Sequence, residues 1–294
     1  MLARIIIGLL FLIGNFFTNQ SSATSIATWN LEWLTSANKT VSDLHIPQRS
    51  NNDIVELRRI FSQLSPDILA FQEVNDLEAI KSVVGDQYRI FISDRSTHRW
   101  KSLQFDDINQ FTGFAVRASF VTHDPEDIQL TKNRKLRFAS YLKLKVDGKK
   151  EIHLLSVHLK SGCFGKWKPS KESCTTLKQQ GEVLAKWIKN RTTNQEPFII
   201  LGDFNHNLSY PNDWLWTEMT NGIPSAILAT GKTPATCQQK GRNGKLFRYR
   251  NLIDHIIVSA DLSLSSPHQY SFSALQLNQY QLSDHCPLLS TLRE

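Results

Sequence analysis

Short apolar runs bounded by polar and turn-forming residues recur along the chain, and several alternate every two residues. This pattern predicts strands. The predicted strands are Ser25–Asn30, Asp67–Glu73, Tyr88–Ser93, Phe111–Arg117, Leu136–Val146, Glu151–Leu159, a run beginning at Phe198, Leu252–Ser259 and Cys286–Leu292. Asp147 and Gly148 predict a hairpin turn between the fifth and sixth of these strands.

Three segments repeat apolar residues at helical spacing, and they predict helices. The predicted helices are Asn51–Leu64, Asp76–Val84 and Cys174–Asn190. The first has an apolar stripe and begins with Asn and Asp, which are common at helix starts. Hairpins and crossovers are mixed, so we expect an α/β fold with a mixed sheet in one domain spanning residues 24–294.

The first 23 residues predict a cleaved signal peptide. Arg4 gives a positive start, an apolar run follows, and Ser21, Ser22 and Ala23 are small residues of the kind found at cleavage sites. The mature chain would then start at Thr24 and be secreted or periplasmic, without stable membrane association. An uncleaved membrane anchor is the alternative, although the run is short for a bilayer.

The chain is basic, with a formal net charge of +7, and the excess is concentrated. Residues 131–191 contain 16 basic and 4 acidic side chains, and residues 239–251 contain five basic side chains and no acidic one. Such surfaces favour polyanions, including nucleic acid, anionic membranes and phosphorylated small molecules. Ordinary solubility charge is the alternative interpretation.

Four cysteines in an exported chain suggest disulfides. Cys163 and Cys174 enclose a short polar loop, and we predict that they pair. Cys237 and Cys286 either pair with each other or leave Cys286 as a buried free thiol.

The predicted strand at Phe198 ends in Gly202, Asp203, Phe204 and Asn205. Residues two apart in an extended chain point the same way, so Asp203 and Asn205 share one side. The carboxylate can bind a metal or take a proton from water, and the amide can orient the group that is attacked. An Asx-type turn that closes a core strand is the structural alternative.

Polar residues recur where the other predicted strands end or begin. The set comprises Asn30, Glu73, His158, Asp203 with Asn205, Asp254 with His255, and Asp284 with His285. Carboxylate and amide oxygens suit a hard cation such as Mg²⁺, which keeps water molecules and binds substrate phosphate. Histidines near additional carboxylates provide acid–base groups. The combination is typical of metal-assisted hydrolysis of a phosphate ester.

Six motifs resemble, in their order, those of the endonuclease/exonuclease/phosphatase superfamily that includes deoxyribonuclease I. They are Trp29-Asn30, Gln72-Glu73, Val157-His158, Gly202-Asp203-Phe204-Asn205, Asp254-His255-Ile256 and Ser283-Asp284-His285. The resemblance covers nearly the whole mature chain. It implies a four-layer α/β/β/α sandwich, in which two mixed β-sheets are flanked by helices and the site lies at one end.

The resemblance also implies a role for each matched residue. Glu73 would hold Mg²⁺, or alternatively Mn²⁺ or Ca²⁺, with help from Asn30 and Asp284. Asp203 would activate or orient water, and Asn205 would bind the phosphate.

The remaining matched residues would act on the scissile phosphate. His158, and His285 paired with Asp254, would contact the phosphate and transfer protons, and Arg137 would contact it as well. Gln110 aligns where deoxyribonuclease I has a glutamate beside the first histidine, and a neutral partner would support the His158 imidazolium less.

A Mg²⁺-dependent nuclease acting on DNA or RNA is the leading functional hypothesis. The loop between Cys163 and Cys174 carries Lys166, Trp167 and Lys168, which combine charge and stacking as a nucleic-acid contact would require. A phosphodiesterase or phosphatase acting on a phospholipid, such as sphingomyelin, or on an inositol phosphate is the alternative within the family. A binding module that lost the chemistry is the third reading, but every major site position is filled.

Overall fold

The structure is a computed structural model that describes residues 23–37, 44–132, 135–145, 150–221, 223–241 and 243–293. The predicted signal peptide, apart from its last residue, and the predicted turn at Asp147 and Gly148 therefore lie outside the described residues. None of the helices in these ranges is long and apolar enough to cross a bilayer.

Strands make up much of the regular structure in the described ranges. In chain order they are β1 (Thr24–Leu34), β2 (Ile68–Val74), β3 (Tyr88–Ile92), β4 (Phe111–Arg117), β5 (Val121–His123), β6 (Ile128–Gln129), β7 (Phe138–Lys145), β8 (Ile152–His158), β9 (Phe198–Asp203), β10 (Ala226–Leu228), β11 (Gln238–Lys240), β12 (Leu246–Arg248), β13 (Asp254–Ser259), β14 (Ser263–Leu264), β15 (His268–Gln269) and β16 (Leu288–Arg293).

The α-helices are α1 (Asn51–Leu64), α2 (Leu77–Val84), α3 (Glu172–Thr193), α4 (Trp214–Thr220) and α5 (Ala274–Gln279). All the predicted strands and helices are present, with their ends moved by at most a few residues. Ser50 and Asp53 form a capping box at the start of α1, and Asp76 caps α2. The strands of two or three residues and the helices α4 and α5 were not predicted, because segments this short hardly complete a periodic pattern.

Two seven-stranded sheets form the centre of the fold. The first has the order β14–β16–β1–β2–β4–β3, with β15 also paired to β16, and the second has the order β10–β13–β9–β8–β7–β5, with β6 also paired to β7. β1 runs parallel to β2 and β8 runs parallel to β9, whereas neighbouring pairs such as β9–β13 are antiparallel. Both sheets are therefore mixed. β11 and β12 form a separate antiparallel hairpin.

Alternation along the strands separates three apolar clusters and produces four layers. On β9, Ile199 and Leu201 lie in the cluster between the sheets, whereas Phe198 and Ile200 lie in the cluster with α3 and α4. The first sheet shares a third cluster with α1 and α2. Full burial of one such apolar side chain contributes about 1.5–3 kcal/mol to the free energy of unfolding. The predicted four-layer sandwich is confirmed.

Two disulfides cross-link the described chain. Cys163 pairs with Cys174 at a Cα–Cα distance of 4.8 Å, and Cys237 pairs with Cys286 at 5.5 Å. The interpretation of Cys286 as a free thiol was wrong. Nothing in the sequence brings Cys237 and Cys286 together, because they are 49 residues apart and meet only when the β11–β12 hairpin packs beside the start of β16.

Gly202 has a steric role in the second sheet. It pairs with Val157 across the parallel strands β8 and β9 and has a φ of +146°. We expect Gly202→Ala to lower the free energy of unfolding by at least about 3 kcal/mol, because the added β-carbon would lie 2.0 Å from the Val157 carbonyl oxygen. Denaturant unfolding measures this change.

Gly85→Ala is the matched control for Gly202→Ala. Gly85 also has a positive φ, +78°, but an added β-carbon would meet no atom within 4 Å. Its substitution should cost only the conformational penalty of about 1–3 kcal/mol, without the added steric clash. Equal losses in the two variants would show that the contact with Val157 is not decisive.

Candidate active site

The polar residues at the ends of the predicted strands lie together at one end of the space between the sheets. Strand register places His158 beside Asp203, and Asp203 beside Asp254, on β8, β9 and β13. Asp203 follows Leu201 at a spacing of two, so its side chain continues the face that points towards the other sheet. Asn30 continues the corresponding face of β1 and donates its amide to Asp203.

The Asp203 carboxylate is the centre of this group and is almost completely buried. Its Oδ2 accepts hydrogen bonds of 3.1 Å from the side-chain amides of Asn30 and Asn205. The same oxygen lies 3.5 Å from Nε2 of His158 and 3.7 Å from Nε2 of His285. Burial, together with nearby Asp254, raises the pKa of Asp203 to about 7, although His285 opposes this rise. Nitrogen atoms of four candidate site residues thus surround one carboxylate oxygen.

Glu73 reaches the site through an irregularity in β2. Simple alternation would place it on the helix-facing side with Leu69 and Phe71. Glu73 has a φ of 58°, and the pairing of β2 with β4 shifts register between Phe71 and Val74. A bulge of this kind redirects a side chain. Oε1 of Glu73 consequently accepts a 3.1 Å hydrogen bond from Asn30.

His285 is held in a charged form by Asp254. Its Nδ1 lies 2.9 Å from Asp254 Oδ2, which leaves Nε2 directed into the site. Burial favours the neutral ring, but Asp254 and Asp203 outweigh it and raise the pKa of His285 well above the ordinary value. His285 is therefore the protonated histidine of the site at neutral pH.

His158 has the opposite character. Burial, and then the positive charges of Arg137 and His285, lower its pKa well below the ordinary value, so its ring is neutral. Its Nδ1 is buried and has no hydrogen-bond partner among the described residues. The expectation that Gln110 is its partner is therefore wrong for this structure. The Gln110 carbonyl instead accepts a hydrogen bond from Arg95.

Arg137 lies beside His158. Its guanidinium donates to the carbonyl oxygens of His158 and Leu159, at 3.2 and 2.6 Å. Burial lowers its pKa, while Glu73 and Asp203 raise it. Arg137 thus places a positive charge at the edge of the cluster of carboxylates.

Asn205 also has a positive φ, 52°, and its side chain bridges two parts of the site. Its Nδ2 donates to Asp203 and to the Leu159 carbonyl oxygen, both at 3.1 Å. Its backbone N–H donates to Asp203 Oδ1 at 2.7 Å. Asn205 therefore fixes the orientation of the Asp203 carboxylate.

Glu32 is a site residue that the sequence analysis missed. Its Oε2 accepts the backbone N–H of Asp284 at 3.0 Å, and Arg49 lies 3.6 Å from the same oxygen. Burial and Asp284 raise the pKa of Glu32 to about 8. Simple alternation along β1 could not have found it, because Glu32 has a φ of 45° and the pairing of β1 with β2 is irregular there.

The arrangement suits a divalent cation. Neighbouring buried carboxylates raise one another's pKa values, because each must hold a negative charge close to another. A bound divalent cation would stabilise these negative charges. Side-chain atoms of Glu73, His158 and Asp203 lie within 4.8 Å of one another, as do those of Asp203, Asp254 and His285. Asn30 directs its amide nitrogen towards Glu73 and Asp203, while its oxygen accepts the Glu32 N–H. Asn30 thus holds the carboxylates in place.

A polar layer beneath the site was also missed. Gln72 donates to Thr28 at 3.1 Å and to Ser156 at 3.0 Å, and all three side chains are buried between the sheets. Ser156 in turn donates to the carbonyl oxygen of Phe71. Hydrogen bonds satisfy these polar groups and couple the two sheets directly below the candidate site.

The disulfide-closed loop lies next to the site. Its first cysteine, Cys163, offers its carbonyl oxygen to His206, which directly follows Asn205. Lys166 and Lys168 are exposed, whereas the Trp167 ring packs 5.1 Å from the Trp214 ring. Lys166, Trp167, Trp214 and Tyr210 line a cavity of about 600 Å³. Trp167 is thus partly occupied in packing, and the lysines on either side of it are exposed.

Several solved structures are similar to this chain. A truncated form of Caenorhabditis elegans TDP2 shares 16% identity with a TM-score of 0.61, covering 92% of this chain and 98% of that one. An endonuclease/exonuclease/phosphatase from Bacteroides vulgatus shares 14% with a TM-score of 0.64, covering 92% and 99%. The mannosyl-6-phosphatase of Bacteroides thetaiotaomicron VPI-5482 shares 16% with a TM-score of 0.60, covering 92% and 100%. These likenesses establish a shared fold.

A family model gives the assignment that these structures alone do not. No curated protein sequence matches the chain. The model described as the Endonuclease/Exonuclease/phosphatase family matches residues 27–285, which is most of the sequence. The chain therefore belongs to the endonuclease/exonuclease/phosphatase family.

Proposed function

We propose that this protein is an exported, Mg²⁺-dependent nuclease that hydrolyses phosphodiester bonds of DNA or RNA by metal-assisted attack of water. The observation that carries the proposal is the position of Asp203 Oδ2, within 3.7 Å of nitrogen atoms of Asn30, Asn205, His158 and His285. These are the groups that water activation and phosphate binding require. The two disulfides agree with an oxidising compartment.

Glu73 and Asp284 would hold the cation, with Glu32 close by. Direct ligation by Asn30 stays a prediction, since its amide nitrogen faces the carboxylates. A bound divalent cation polarises the phosphoryl oxygens and offsets the negative charge of the substrate. Oxygen ligands favour Mg²⁺, and Mn²⁺ or Ca²⁺ are the alternatives.

The side chains of the protein would perform the proton transfers. Asp203, with a pKa of about 7, is suited to accept a proton from the attacking water near neutral pH. The new P–O bond forms as the bond to the leaving oxygen breaks, and that oxygen needs a proton. Protonated His285 directs Nε2 into the site and can stabilise the phosphate or supply that proton. Neutral His158, Asn205 and Arg137 would contact the phosphate.

Nucleic acid is proposed as the substrate because the basic surface lies beside this site. Lys166, Lys168 and Lys171 are exposed on the disulfide loop. A phosphodiesterase or phosphatase that acts on a phospholipid or an inositol phosphate is the second candidate. The structural similarity to a mannosyl-6-phosphatase agrees with this second candidate. Nucleic acid differs from these substrates because it offers many phosphates and a condensed counterion layer.

The salt dependence of binding separates these candidates. We expect His158→Ala protein to bind duplex DNA or RNA with a log–log salt slope of magnitude at least about 3, since each duplex phosphate contact contributes about 0.9. Changing Lys166, Lys168 and Lys171 to Glu should flatten the slope. Changing Lys186 and Lys189 to Glu is the control, because these lysines are exposed on α3.

Wild-type protein should also be incubated with plasmid, RNA, sphingomyelin and an inositol phosphate, with and without chelator. Cleavage of plasmid or RNA supports the proposal. If the His158→Ala protein shows no salt-sensitive binding of nucleic acid, while wild-type protein cleaves sphingomyelin or an inositol phosphate, the second candidate replaces the first.

A further inference from the structure

The β11–β12 hairpin is fixed to the segment that carries two of the site residues. The Cys237–Cys286 disulfide attaches the residue before β11 to the residue that follows His285. Gln239 of β11 is buried and donates a 3.0 Å hydrogen bond to the Ser283 carbonyl oxygen. Both anchors flank Asp284 and His285, so the hairpin lies beside the acidic end of the site.

Two aromatic rings lie on the hairpin face that meets this segment. Phe247 pairs with Gln239 across the hairpin, and cross-strand partners share a face. Tyr249 follows at a spacing of two, and its ring contacts Phe247 edge-on at 5.2 Å. The rings are nevertheless 43% and 40% exposed. Burial and then Asp284 raise the pKa of Tyr249, which agrees with its closeness to the acidic group.

The hairpin is also strongly cationic. Its exposed basic side chains in the described chain are Lys240, Lys245, Arg248 and Arg250. Within the described ranges, none of the four forms an ion pair. Residues 239–251 contain no acidic residue that could neutralise them. These charges are therefore available to an external polyanion.

A cleft of about 750 Å³ connects the hairpin with the site. Glu32 and Asp284 line it at the acidic group, and Lys240 and Gly241 line it along the hairpin. A polymer that passes through the site could continue into this cleft, where it would meet Lys240 and Gly241 of the hairpin.

We propose that the β11–β12 hairpin, with Tyr249 and Arg250, binds an unpaired polynucleotide strand next to the scissile phosphate. The basic side chains contact phosphates, and Phe247 and Tyr249 stack on bases. The inference rests on the proposed nuclease function and narrows its substrate. Stacking on a protein ring requires a base face that a duplex keeps covered, so single-stranded nucleic acid is preferred over duplex.

Exposed rings with neighbouring cations could also contact an anionic membrane, but the geometry favours nucleic acid. The turn between β11 and β12 includes Gly241, Asn243, Gly244 and Lys245, so the end of the hairpin is polar. Insertion into lipid needs apolar residues at the leading edge. Here the rings lie on the side that meets the site.

The test measures binding of a fluorescent single-stranded oligonucleotide and of a duplex of equal strand length, in chelator to prevent cleavage. We expect the double variant Phe247→Ala/Tyr249→Ala to weaken single-strand binding at least about tenfold, because each stacked base contributes about 1–3 kcal/mol. Duplex binding should change by less than about threefold. The variant Phe247→Tyr/Tyr249→Phe keeps both rings and should retain single-strand affinity, which separates stacking from a general loss of structure.

A second measurement tests the charges. The variant Lys245→Gln/Arg248→Gln should reduce the magnitude of the single-strand salt slope by about 1.4, since each phosphate contact contributes about 0.7. The control variant Lys186→Gln/Lys189→Gln on α3 should leave the slope unchanged. Unfolding temperatures of all variants show whether a loss of binding reflects a loss of folding.

The outcomes separate this inference from the proposed function. If wild-type protein cleaves nucleic acid but the alanine variant binds single strands as wild type does, the inference is wrong and the nuclease proposal stands. If wild-type protein neither binds nor cleaves nucleic acid, the proposed function itself fails. If the alanine variant loses binding only to vesicles of phosphatidylserine and phosphatidylcholine, the hairpin is a membrane contact and the inference is overturned.

Discussion

Asp203→Asn should lower kcat by at least about a hundredfold while leaving the protein folded. Asparagine has nearly the same shape, so the packing around this buried position is kept. The variant removes the charge and the proton-accepting oxygen that lies near both histidines. Groups that act at the transition state contribute factors of about 10²–10⁴. Single-turnover cleavage of a labelled oligonucleotide measures the effect without interference from product release.

Asp213→Asn is the matched control for Asp203→Asn. Asp213 is also a buried carboxylate, lies 2.7 Å from His206 and caps α4 through Trp216. Because this pair lies outside the Asp203 group, its loss should reduce stability and leave kcat within about threefold. Comparable kcat losses in both variants would show that the Asp203 effect is structural. Near-wild-type turnover of Asp203→Asn would mean that the family roles are misassigned here.

Removal of divalent cations should abolish activity, by at least about a thousandfold, and added Mg²⁺ should restore it. The buried carboxylates Glu32, Glu73 and Asp203 have raised pKa values and need positive charge to remain ionised beside a phosphate. Glu73→Gln should raise the Mg²⁺ concentration for half-maximal activity at least about tenfold. Titration of activity against free Mg²⁺ measures this shift.

A second measurement tests Mg²⁺ binding independently of turnover. Mg²⁺ should raise the unfolding temperature of wild-type protein, because a ligand that binds only the folded state stabilises it. The increase should be smaller in Glu73→Gln and unchanged in the control Glu56→Gln, whose carboxylate pairs with Arg59 on α1. Full wild-type activity in excess chelator would refute the metal-dependent mechanism.

The sequence predicted the fold class and the family because both depend on local patterns. Alternation at a period of two places Leu201 and Asp203 on one face of β9, whichever strands later become its neighbours. The apolar stripe of Asn51–Leu64 defined a helix whose ends the structure reproduces. The order of the six motifs, which is a property of the sequence alone, indicated the family.

Glu73 shows where local pattern stops being sufficient. Alternation assigns its side chain to the helix-facing side of β2, and only the bulge and the positive φ turn it into the site. A bulge depends on pairing with β4, 37 or more residues further along the chain, so its position cannot be read from a short window. Glu32, with a φ of 45°, has a similar origin in irregular pairing of β1 with β2.

By itself, the sequence determined which residue types would be available and which faces most of them would occupy. Tertiary structure alone decided which of them come into contact. It set the partner of Cys237, the neighbours of Asp203, and the burial of His158 Nδ1, which has no hydrogen-bond partner in the described part of the chain. The opposite charge states of His158 and His285 are also decided by the tertiary structure. The physical reason is that these properties depend on distances between strands far apart in sequence and on burial, and both are defined only after the sheets have packed.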